Sequence, residues 1–192
     1  GIFSALEPLA FLAMALFAVY MYRKGEKSHP NKIALFWTIG ASIVSFIGAG
    51  LLGFAHTLPQ TNIYTHGTLV TAMHGHYAFW GAYAMIVLAI ISYALPNITG
   101  RKLYDSTRGH MAFWLSNIGM LGMTVAFGVA GVAQVYLERK MKMDFMDVQN
   151  EISIHFVVLL LCASLFATGI TLFIIEFIKY GKPTDEALVK EE

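Results

Sequence analysis

Apolar residues gather in five long runs, at about 3–22, 33–56, 69–95, 110–136 and 154–178. Each is near or above the ~20 residues that carry a helix across a bilayer core. The runs are apolar all round instead of along one stripe, the pattern of helices buried in lipid and in one another. Ten-residue segments of alternating polarity, the mark of a membrane β-barrel, do not occur. The pattern predicts an all-α polytopic membrane helix bundle with five transmembrane helices, residues 1–192 forming a single transmembrane domain.

The polar segments between the runs are short. In "RKGEKSHPNK" (23–32), Pro30 followed by Asn31 reads as a helix stop and restart. "TLPQTNIYTHGT" (57–68), "PNITGRKLYDSTRG" (96–109) and "LERKMKMDFMDVQNE" (137–151) are read as connections. Lys and Arg number four in 23–32, three in 96–109 and three in the C-terminal tail, against three in 137–151 and none in 57–68. Positive charge marks the cytoplasmic side. The C-terminus is therefore expected in the cytoplasm, with His56, His66, His74 and His76 toward the outer face.

Composition agrees with the pattern. Hydrophobic residues make up 57% of the chain and charged residues 13%, where soluble domains carry about 25% charge. A net charge of +1 without a basic, aromatic-interleaved block gives no reason to expect nucleic acid as a partner. The single cysteine, Cys162, excludes an internal disulfide framework and a cysteine-based metal site. The opening "GIFSALEPLAFLAMALFAVYMY" has an acid inside its apolar run and no basic leader, unlike a signal peptide. The chain is expected to be the C-terminal part of a longer subunit. Glycines in "IGAGLLG", "IGMLGM" and "FGVAGVAQ" are read as sites of close helix–helix approach.

Candidate chemistry concentrates in "VTAMHGHYAFWGAY" (70–83). Successive helical residues turn by ~100°, so His74 and His76 project to nearly opposite sides of one helix and cannot share a metal ion. Imidazole is a common metal ligand and haem takes axial histidine. Two histidines on opposite faces therefore fit two haems flanking one helix, with Gly75 leaving the backbone open between them. The plainer reading, two rings bonded to other helices or to interfacial water, stays open. Glu7 lies in the first apolar run, where a carboxylate needs a partner, a metal or a proton; an acid held at an interface by the helix dipole is the alternative. Pro8 is expected to bend that helix. Ser4 lies one turn before Glu7, and the two are candidates for a proton path. His56, Thr57, Asn62 and His66 are polar groups suited either to haem propionates or to helix capping. His29, His110 and His155 are read as ordinary, Asn117 and Glu176 as packing residues.

"GIFSALEPL", "GFAHTLPQTNIYTHGTLVTAMHGHYAFWGAYAMIVLAIISYALP" and "FMDVQ" closely resemble the catalytic large subunit of bacterial nitric oxide reductases, a branch of the haem–copper oxidase superfamily. The resemblance covers essentially the whole chain and corresponds to the last five of twelve transmembrane helices. It implies that His74 ligates a high-spin haem b at the active site and that His76 ligates a low-spin haem b that feeds it electrons. Glu7 corresponds to an acid beside a non-haem iron, with Ser4 and Thr57 as polar neighbours. Asn62 and His66 fall in the segment near the haem propionates. The histidines that hold the non-haem iron, and the second ligand of the low-spin haem, are expected outside this chain.

The reaction so implied is 2 NO + 2 e⁻ + 2 H⁺ → N₂O + H₂O, in denitrification or NO detoxification, in the bacterial inner membrane. A membrane-anchored cytochrome c subunit is the favoured electron donor and quinol the alternative. The remaining N-terminal helices of the same subunit, nitric oxide and the lipid bilayer are the other expected partners. An oxygen-reducing haem–copper oxidase subunit and a non-catalytic haem b electron-transfer subunit are the competing functions. A transporter is disfavoured by the lack of inverted repeats.

Overall fold

The computed structural model describes residues 3–25, 31–100 and 106–179, all of them in helices or the turns that join them. A 3₁₀ turn, Phe3–Leu6, leads into α1, Glu7–Lys24. Pro8 sits in the first turn of α1, where the N–H that proline lacks would have no helical partner anyway. A proline is accommodated at that position without loss of a helical hydrogen bond.

Helix α2, Lys32–Thr57, restarts after Pro30 as the sequence predicts. Asn31 caps it, accepting from the Ala34 N–H at 3.0 Å. The Asn31 amide also donates to Ser92 O at 2.7 Å. That bond ties the start of α2 to α4, Leu69–Ile98. Between them lies a short helix, α3, Pro59–Thr65, in a segment the polar residues had marked only as a connection. Pro59 at its first position is preset for helical φ. Gly67 then turns the chain at φ +74°, a conformation glycine adopts without strain, and Thr68 caps α4.

Helix α4 continues past Pro96 to a left-handed Gly100, one turn further than the apolar run ends. α5, Thr107–Lys140, also outruns its apolar run. A second short helix, α6, Phe145–Glu151, again occupies a segment read as a connection. α7, Ser153–Ile178, completes the bundle. By length and composition α2, α4, α5 and α7 can each cross a membrane. α1 is not among them: its 18 residues span about 27 Å, and Arg23 and Lys24 occupy its last turn.

Glycine sets the helix crossings. A Cβ on Gly48 would lie 2.7 Å from Ala78 N, and one on Gly81 would lie 2.5 Å from Ser45 N. α2 and α4 thus interlock through reciprocal glycines. Gly119 and Gly169 make the same kind of backbone approach between α5 and α7. Around Trp37 the rings of Phe113 and Phe173 pack edge-on at 5.1 and 5.9 Å, joining α2, α5 and α7.

Glu176, expected to be a packing residue, is 1% exposed and pairs with Arg108 at 3.3 Å. A buried carboxylate needs such a partner, and the pair clasps α5 to α7. Apolar side chains such as Val157, Leu160 and Leu161 point outward from α7, as in a bundle whose outer surface meets lipid or further helices.

Candidate haem-binding site

The His74 side of α4 is built by α2. The middle of α2, Phe46–Leu52, is a π segment, a local widening that interrupts the usual i→i−4 ladder. His74 Nδ1 lies 3.0 Å from Gly48 O in that segment. A carbonyl can only accept, so the proton resides on Nδ1 and the Nε2 lone pair is left for another partner. This is the tether that metal-bound imidazoles commonly have. Two more parts of α2 flank the ring. Gly53 leaves room for it, since a Cβ there would stand 3.3 Å from His74 Cε1. The His56 ring stacks on it at 5.0 Å with planes 25° apart. His56 is itself tethered through Nδ1 to Leu52 O at 3.0 Å.

On the other side of α4, the His76 Nδ1 donates to Ala72 O at 2.8 Å, one turn back in its own helix. Its ring packs against Phe127 of α5 at 4.8 Å. It lines a cavity of about 550 Å³ together with Ala72, Gly75, Phe79, Trp80 and Met120. Trp80, 4% exposed, is fixed by donation from its Nε1 to Asn117 Oδ1 at 3.1 Å. Asn117, expected only to pack, therefore holds one wall of this cavity. A second π segment, Trp80–Ala84, begins at that wall. The opposite projection of the two histidines follows the helical pitch, as expected.

The other candidates are distributed around α2 and α3. Thr57 Oγ1 donates to Phe54 O at 2.8 Å within α2, and Asn62 Nδ2 donates to His56 O at 2.7 Å. His66 follows α3 and is exposed. The side chains of Ser4 and Glu7 lie outside the described residues. The start of α1 does lie beside the π segment of α2: a Cβ on Gly50 would meet Pro8 Cα at 3.1 Å. Among the described residues, no group of three or more His, Cys, Asp or Glu is placed to hold a metal ion.

Two features bear on axial haem ligation, the first common to both histidines and the second found at His76. Both imidazoles are tethered at Nδ1 with Nε2 left over. The cavity beside His76 lies within the ~300–1,000 Å³ usual for cofactor pockets and is walled mostly by apolar side chains.

The sequence reading missed Gly53 and His56 as neighbours of His74. The signal for them was the glycine series 48, 50 and 53 followed by His56. Its members face Tyr77 and Ala78, then Pro8, then His74.

Comparison with known proteins gives this geometry a lineage. The chain is 42% identical over 190 residues to a nitric oxide reductase subunit of Stutzerimonas stutzeri. The alignment covers 95% of this chain and 40% of that protein, so the chain spans about two fifths of its relative's length. Residues 1–166 match the family described as Cytochrome C and Quinol oxidase polypeptide I. A multi-pass helical chain, it belongs to the cytochrome c and quinol oxidase polypeptide I family.

Proposed function

We propose that this chain is the haem-bearing part of a nitric oxide reductase catalytic subunit, reducing two NO to N₂O and water with two electrons and two protons. The carrying observation is the pair of tethered imidazoles on opposite faces of α4, in a chain 42% identical to a nitric oxide reductase subunit. His74 is assigned as axial ligand of a high-spin haem b and His76 as one ligand of a low-spin haem b. When bound, these haems and a neighbouring non-haem iron supply electron transfer and the NO-binding metals.

The chain's own residues prepare the site. Gly48 O holds the His74 proton on Nδ1, which keeps Nε2 a lone pair and makes the imidazole a stronger donor. Ala72 O does the same for His76. The two ligands are joined through the backbone of Gly75, a short covalent route between the two faces. Phe127 and Trp80 present apolar surface beside His76, against which a flat apolar macrocycle could pack.

Glu7 is assigned as the acid that handles protons near the non-haem iron, with Ser4 and Thr57 on its route. A carboxylate in an apolar run is suited to hold a proton and to give it up where the reaction would need one. Asn62 and His66 are assigned to the propionate edge of the haems. The favoured donor is a membrane-anchored cytochrome c subunit, with the assembly in the bacterial inner membrane and the C-terminus in the cytoplasm.

Metal and haem analysis of the purified complex, with reduced spectra taken with and without NO, tests this reading. Two haems b, one of them NO-reactive, plus one non-haem iron and N₂O as product support it. Copper in place of that iron supports the oxygen-reducing reading. Two NO-inert low-spin haems leave an electron carrier.

A further inference from the structure

His56 has no place in the mechanism above, yet its surroundings are unusual. Its Nδ1 is tied to Leu52 O, so the proton resides there and Nε2 is a lone pair. That Nε2 is buried and has no hydrogen-bond partner among the described atoms. A buried acceptor without a donor is unfavourable, and a residue serving packing alone would be better as an apolar side chain. What His56 does contact is the flat face of His74, at 5.0 Å and 25°.

The stack excludes a shared metal. A ring nitrogen binds a metal lying in its own ring plane, at roughly 2 Å. Two stacked planes inclined by only 25° meet far beyond that distance. The face-to-face contact instead restricts the rotation of the His74 ring about its Cβ–Cγ bond. The Gly48 carbonyl pins the ring at Nδ1, and the missing side chain of Gly53 leaves the space that Cε1 needs in this orientation. All three elements come from residues 48–56 of α2.

We infer that His56 is a positioning residue for His74: stacked on its face and tethered to Leu52 O, it fixes the plane in which the His74 Nε2 lone pair points, and so the orientation of the proximal ligand. This rests on the assignment of His74 as a haem ligand and deepens it. An imidazole suits the position because its face and its Nδ1–H are both used; a leucine has neither a flat face nor a tether.

The test is the iron–imidazole stretching band of the high-spin haem in the reduced full complex, read by resonance Raman. His56→Ala is expected to shift and broaden the band. His56→Phe restores the aromatic face and is expected to return the band toward its wild-type position. His56→Gln supplies polar atoms without a ring and is expected to behave like Ala.

Should His56→Ala fail to assemble, Gly53→Ala serves as the second variant. Its added methyl, 3.3 Å from His74 Cε1, is expected to shift the band at unchanged haem content. An unchanged band in His56→Ala or, where that variant does not assemble, in Gly53→Ala overturns the proposal. So does failure of Phe to restore the band, or restoration by Gln as complete as by Phe. A band that survives His74→Ala overturns the haem assignment itself, and the role of His56 with it.

Discussion

On one side of α4, His74 is enclosed by a neighbouring helix that offers a carbonyl, a bare glycine and a stacked ring within one π-containing segment. On the other side, His76 is exposed, tethered only to its own helix, and borders a cavity of about 550 Å³. Between them a Cβ on Gly75 would meet nothing within 4 Å, whereas one on Gly48, facing the same helix from α2, would stand 2.7 Å from backbone atoms. The same residue type thus serves two ends: at Gly48 it permits contact, and at Gly75 it leaves space. The contrast indicates that the geometry of the His74 imidazole is set by packing, whereas that of His76 is left to whatever fills the cavity.

Substitutions on the two sides should therefore fail differently. Gly48→Leu has the largest expected effect. The backbone of Tyr77 and Ala78 cannot yield as a flexible side chain would, and overpacking of this kind costs about 3 kcal/mol. The thermal midpoint of the purified complex should fall, with loss of the high-spin haem first.

Trp80→Phe removes one buried hydrogen bond, to Asn117, and should cost about 1 kcal/mol. Its optical signature should be confined to the low-spin haem. A shift in the high-spin haem instead would mean that the two sides are not separate.

Gly75→Ala has the smallest effect on the fold. Nothing crowds the new methyl, and alanine is favoured in helices by about 0.8 kcal/mol. Haem-free protein should gain stability, while haem content per complex should drop because the methyl enters space a macrocycle uses. Unchanged haem content would show that this space is not used.

Much of this arrangement was legible in the sequence. The apolar runs located the long helices, Pro30 and Asn31 marked the restart of α2, and helical pitch alone separated His74 from His76. The short helices Pro59–Thr65 and Phe145–Glu151 were not legible, because polar composition marks a connection whether or not it is helical.

The π segments escaped for a different reason. An extra residue in a turn leaves no trace in a stretch that is apolar on all sides, such as "FIGAGLL". The partners of Asn117 and Glu176 lie 37 and 68 residues away in sequence. Long-range pairing of that kind is decided by packing, which no local pattern encodes. His56 looked like a helix-end residue because its significance lies in a ring contributed by another helix.

The most direct test compares the full complex carrying His74→Ala with the one carrying His76→Ala, through reduced optical spectra recorded with and without NO. Opposite-face ligation predicts that the first variant loses the NO-reactive high-spin haem and keeps the low-spin one, and that the second does the reverse. Loss of the same haem in both variants, or of neither, would contradict it.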